Sequence, residues 1–237
     1  MRFTLFAATA LLGLMAPVAQ AQMDPHQHHR MMSPAPSTGA TPVAEPMDHS
    51  AHNHDVGPAG STYALRWIDG MVQHHTGALR MSEFVFDIGV PGVGSLGKTI
   101  WSDQAQEIKA MGQWRKARYP EAPVYPVVLK TGGDPNAMAD LTRMSPAQIQ
   151  AMQMMASAPT RDNRVTWFLE GMLQHHGGAL IMAHDALDKS TNPTIRRLAR
   201  NIIVAQRSEI IQIRKMLQHD GLNKPEYCTY DKLFLLN

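Results

Sequence analysis

Two stretches of the chain put thioether and imidazole side chains at the same helical spacing. Residues 67–81 read Trp-Ile-Asp-Gly-Met-Val-Gln-His-His-Thr-Gly-Ala-Leu-Arg-Met, and residues 168–182 read Phe-Leu-Glu-Gly-Met-Leu-Gln-His-His-Gly-Gly-Ala-Leu-Ile-Met. The core Gly-Met-x-Gln-His-His-x-Gly-Ala-Leu-x-Met is shared without a gap. On a helix that advances about 100° per residue, Trp67, Met71, His75 and Ala78 fall within about 40° of one direction. His74 and Met81 lie roughly 60–80° away, on the Trp67 flank. The candidate ligands are therefore Met71, His74, His75 and Met81 in the first copy, and Met172, His175, His176 and Met182 in the second. Consecutive histidines diverge by about 100°, so the two members of each pair have different roles.

Packing alone explains each part of this pattern separately. A methionine stripe at helical spacing is ordinary core filler, and one histidine on an apolar face is commonly a hydrogen-bonded interior residue. Packing would also accept Leu or Phe at these positions, yet both copies keep Met, His, His and Met. The repetition favours metal binding. Thioether sulfur is a poor ligand for Zn²⁺, Mg²⁺ or Ca²⁺ and a good one for Cu⁺, while imidazole serves both copper oxidation states. A mixed Met/His set points to copper, with silver as its chemical mimic.

Further soft ligands lie upstream. Residues 22–60 are rich in Pro, Ser, Thr, Gly and Ala and poor in large apolar side chains, so they are expected to form a disordered tail. Six of the twelve histidines fall in it, grouped as His26, His28 and His29, then Met47, His49, His52 and His54. Such tracts collect metal ions. Ahead of the tail, Arg2, an apolar stretch over residues 3–15 and Ala19-Gln20-Ala21 form a secretory signal peptide over residues 1–21, with a mature start near Gln22. A periplasmic or secreted location is expected, without a membrane span. Twenty-two Lys and Arg against twenty Asp and Glu leave no basic excess for nucleic acid. The single Cys228 cannot close an intramolecular disulfide.

The elements that must hold the ligands follow from the repeat. Each motif is followed by a second helical stretch, with Gln104-x-x-Glu107-Ile108 matching Gln206-x-x-Glu209-Ile210. Helices are expected at 62–88, 95–117, 162–189 and 193–219, with a short one after Ser145-Pro146. The domain spans 61–220, its Pro-rich crossover runs from 119 to 160, and 221–237 form a C-terminal extension. The fold class is all-α: a ferritin-like four-helix bundle of two duplicated helical hairpins. A di-iron enzyme would need Glu-x-x-His, but Ala110 and Gln212 stand three residues after Glu107 and Glu209. Asp69 and Glu170 lie about 240° from the second His of their motifs, off the ligand face. Glu107 and Glu209 are candidates for orienting a ligating imidazole.

The doubled Met-x-x-His-His-x-x-Ala-x-x-Met element, with its Gln-x-x-Glu-Ile partner helix, resembles the DUF305 family, which includes periplasmic copper-binding proteins of the CopM type. The resemblance covers about residues 62–219. It implies a ferritin-like bundle and a role in copper binding or resistance, carried by the eight motif residues named above. The chain departs from the family at Gln73 and Gln174, where Pro is frequent, and at Ala64 and Val165, where Asp is frequent. The expected function is non-enzymatic sequestration or transfer of copper, with metal ions and other exported copper-handling proteins as partners. The alternatives are a ferritin-like oxidase of Cu⁺ or Fe²⁺ and a metal-free helical interaction module.

Overall fold

A computed structural model describes residues 54–89, 92–155 and 157–236. The expected signal peptide lies outside them, as do His26, His28, His29, Met47, His49 and His52. Five α-helices dominate: α1 (Tyr63–Glu83), α2 (Val93–Arg118), α3 (Pro146–Gln153), α4 (Arg164–Lys189) and α5 (Pro193–His219). Two short strands, β1 (Val127–Leu129) and β2 (Leu141–Arg143), lie in the crossover. Two 3₁₀ turns, Pro225–Cys228 and Asp231–Leu233, follow α5. None of the helices among the described residues is long and apolar enough to cross a membrane.

Local chemistry sets several boundaries. Ser145 and Gln148 form a reciprocal capping box at the start of α3, with Pro146 inside the first turn. Asn192 caps α5 by accepting from the amides of Thr194 and Ile195. The last turn of α5 closes on Gly221, whose φ of +77° suits only glycine without cost. The first helix ends at Glu83 rather than near 88, because residues 84–88 continue as successive turns that bury Val85.

The molecule is two helical hairpins set against each other. Within each, the chain reverses: Glu83 meets Trp101 and Asp69 meets Arg115 across α1 and α2, and the Leu187 carbonyl meets Arg196 across α4 and α5. Between hairpins, α1 and α4 run antiparallel. Tyr63 donates to Asp185 at 2.7 Å, Trp67 donates to the Met182 carbonyl at 2.8 Å, and His74 meets His175. The core between them holds Trp67, Ile68, Phe168 and Leu169, with Ile202, Ile203, Ile210 and Ile213 from α5. Each such side chain contributes about 1.5–3 kcal/mol on full burial.

The crossover adds a small ribbon that the sequence reading leaves out. The two strands pair antiparallel with Val127 opposite Arg143 and Leu129 opposite Leu141. Only three residues long each, the strands are too short for a period-two pattern to register. The ribbon is tied to α1 by buried Asp69, which accepts from the Val127 amide at 2.8 Å and from Arg115 Nε at 2.5 Å.

The expected tail also ends earlier than residue 60. Buried Arg66 donates to the carbonyls of Val56 and Pro58, and Val56 is itself buried. Ser61 donates to Asn136. Residues 54–60 are therefore part of the packed unit, held by a buried guanidinium that composition does not reveal.

Candidate metal centre

The first histidine of each motif faces the other hairpin. His74 and His175 are both fully buried, with ring centroids 3.9 Å apart. They are equivalent residues of the duplication, so the two motifs meet at their matching positions. Burial, followed by the neighbouring imidazoles, holds both rings well below the ordinary histidine pKa, so both are neutral. His175 Nε2 lies 3.0 Å from the His74 carbonyl oxygen. A carbonyl can only accept, so Nε2 carries the hydrogen and Nδ1 carries the lone pair. That Nδ1 is buried and without a partner, as are both ring nitrogens of His74.

The second histidine of each motif turns toward its own hairpin partner. His75 Nε2 lies 2.6 Å from Glu107 Oε2, and His176 Nε2 lies 2.7 Å from Glu209 Oε2. The second approach is off the line of a good hydrogen bond, which leaves His176 Nε2 unsatisfied in that sense. Both imidazoles are fully buried, while Glu107 and Glu209 are 29% and 15% exposed. The carboxylates thus connect the interior to solvent. In the His75 pair the carboxylate accepts from Nε2. Nδ1 of His75 and of His176 is buried without a partner. This is the arrangement in which an acidic group orients a ligating imidazole.

One turn before each glutamate stands a buried amide, Gln104 or Gln206, with neither its oxygen nor its nitrogen partnered. The sequence shows both in the repeated Gln-x-x-Glu-Ile element; their polar burial was the missing signal. Asp103, beside Gln104, has its carboxyl pushed up by burial and by the charges of Glu209 and Glu107.

The four motif methionines are all buried in the main apolar core. Met71 and Met172 lie one turn before the histidines. Met81 and Met182 lie seven residues after the first histidine, about 10 Å along the axis. The Met182 methyl reaches Gly70, 3.5 Å from where a Cβ there would stand. Of the tail ligands, His54 is brought to the centre, its ring 5.7 Å from that of His74 and edge-on to it. Among the described residues, no three His, Cys, Asp or Glu side chains converge as a ready cage.

Several supporting residues carry no signal in the motif itself. Gln73 donates to the Tyr125 hydroxyl at 3.1 Å, and Gln174 accepts from the Tyr230 hydroxyl at 2.7 Å. The glutamine before each His pair is thus pinned by a tyrosine, one from the crossover and one from the C-terminal extension. Asp69 and Glu170 point away from the imidazoles as their helical angle requires. Asp69 binds Arg115, and Glu170 accepts from Lys224 at 2.6 Å and from the Tyr227 hydroxyl at 2.5 Å. Burial pushes the Asp69 carboxyl up despite the opposing effect of Arg115 and the Val127 amide. Cys228 is exposed and unpaired by any disulfide.

Two duplicated hairpins that meet through paired histidines define a helical repeat protein with a polar, imidazole-lined centre. The chain belongs to the family described as Domain of unknown function (DUF305), whose model matches residues 64–217, well over half the chain. Among solved structures it is similar to CopM in the Cu(I)-bound form, at 24% identity and a TM-score of 0.48, over 66% of this chain and 96% of that one. It is also similar to a DUF305 fragment from Deinococcus radiodurans, at 26% identity and a TM-score of 0.49, over 69% of this chain and 99% of that one. Comparison with curated proteins gives no match.

Proposed function

We propose that this protein binds copper outside the cytoplasm and sequesters it or hands it on, without catalysing a reaction. The observation that carries this reading is the set of buried ring nitrogens without partners on His74, His75, His175 and His176. A buried polar atom left unmade costs about 1–3 kcal/mol. A module built only for packing would avoid that cost with Leu or Phe. A soft cation that accepts lone pairs removes it.

The ligand chemistry supports copper. The neutral imidazoles of His74 and His175 offer nitrogen donors, and Met71, Met81, Met172 and Met182 supply thioethers in the surrounding core. His26, His28, His29, Met47, His49, His52 and His54 would gather ions from solution, with the bundle as the holding site. The signal-like segment before Gln22 supports export. Partners are then metal ions and other exported copper-handling proteins. The one-to-one pairing of His75 with Glu107 and of His176 with Glu209 supports positioning, not a bridged di-metal oxidase.

Equilibrium titration of the mature protein with Cu⁺ and Cu²⁺ against a competing chelator tests the reading. The wild type is expected to retain copper that a His74/His75/His175/His176→Ala variant surrenders. Equal affinity in the two proteins would remove the bundle from the account.

A further inference from the structure

We infer that His54, Met154 and the His74–His175 pair form a soft-metal site at the junction of the tail and the bundle. This rests on the copper reading and adds a ligand, Met154, that belongs to neither repeated motif.

The placement comes from one residue with no side chain. A Cβ built on Gly178 of α4 would stand 2.5 Å from His54 Cε1, 2.9 Å from His54 Nε2 and 2.8 Å from Met154 Sδ. An imidazole and a thioether thus share the small space above one bare helix position. A Cβ there would force them to shift. Gly178 lies three residues beyond His175, hence on the same side of α4 one turn along. His54 in turn lies edge-on to His74.

Both new participants are held in place. His54 precedes a segment fixed by Arg66 through the Val56 and Pro58 carbonyls, and by Lys189 through Asp55 and the Gly57 carbonyl. Met154 caps the C-terminus of α3 at φ +49°, the one non-glycine positive φ among the described residues. The left-handed conformation costs a bulky residue roughly 1–2 kcal/mol, and Gly or Asn is usual at such a position. Met154 is buried, yet it is not part of the main apolar core that takes up the motif methionines. A strained methionine whose sulfur shares the space over Gly178 with an imidazole is better explained as a donor than as filler.

The donor set selects the ion. Imidazole with thioether suits Cu⁺ or Ag⁺ and gives little hold on harder divalent ions.

The test uses the full mature chain, labelled with ¹³C at the methionine methyls, and Ag⁺ as a redox-inert probe. The first equivalent is expected to move the Met154 methyl together with the His54 and His74 ring signals. Met154→Leu and His54→Gln are each expected to weaken the first binding step at least tenfold, the scale seen even for outer-shell losses. If the His74 and His175 signals respond while Met154 and His54 do not, this site is wrong and the copper reading stands. If no bundle histidine or methionine responds, both are wrong. The wild-type spectra decide the matter even where a variant fails to fold.

Discussion

Metal-free protein is expected to lose stability steeply as the pH falls from 7 to 5, and the His74–His175 pair is the cause. Burial holds both folded-state pKa values well below the ordinary histidine value of about 6.5. Across this range the unfolded chain therefore binds more protons than the native one, and stability rises with pH. The contribution is fully present above the unfolded value near 6.5 and is lost as the pH falls toward the folded pKa. A histidine that stays neutral when folded and titrates freely when unfolded loses about 2 kcal/mol of stability between pH 7 and 5. Two such residues give about 4 kcal/mol, a large part of the usual 5–15 kcal/mol for a domain. Urea unfolding of wild type and of the His74→Gln/His175→Gln variant at pH 7, 6 and 5, with chelator present, measures the difference. Carboxylate titrations common to both proteins cancel in that comparison. Parallel pH profiles would show that the pair is not held neutral by the fold, and the tautomer argument would fall with it.

Other substitutions probe the supports. Asp69→Asn removes the buried partner of Arg115 and is expected to cost about 3 kcal/mol in denaturant unfolding, as for other broken buried pairs. Gly77→Ala would place a Cβ 1.9 Å from the Gln153 carbonyl oxygen. Despite a helix-propensity gain of about 1 kcal/mol, it is expected to destabilise by about 1–3 kcal/mol, read as a lower Tm. Glu107→Gln and Glu209→Gln leave the imidazoles in place but weaken their orientation. Each is expected to lower Cu⁺ affinity about 10- to 100-fold in chelator competition, with little change in circular dichroism.

The helices and their pairing are legible in the sequence because the evidence for them is repeated. Gln104-x-x-Glu107 and Gln206-x-x-Glu209 announce a matching second helix, and Pro193 and Ser145-Pro146 announce helix starts. The divergence of His74 from His75 also follows from helical geometry, and the structure gives each member the different partner that divergence requires. What depends on distant chain segments is not legible. Met154 carries no motif and reaches Gly178 only because α3 packs beside it. The Tyr125 and Tyr230 contacts to Gln73 and Gln174 join segments more than 50 residues apart. Residues 54–60 look like linker by composition, and buried Arg66 together with Lys189 explains why they pack.

The most direct test of the central claim is an anomalous map at the copper edge from a crystal soaked with Cu⁺ under reducing conditions. A peak within bonding distance of a ring nitrogen of His74 or His175 is predicted, inside the bundle where the two hairpins meet. Anomalous density confined to the tail, or absent from the bundle at saturating copper, would contradict it.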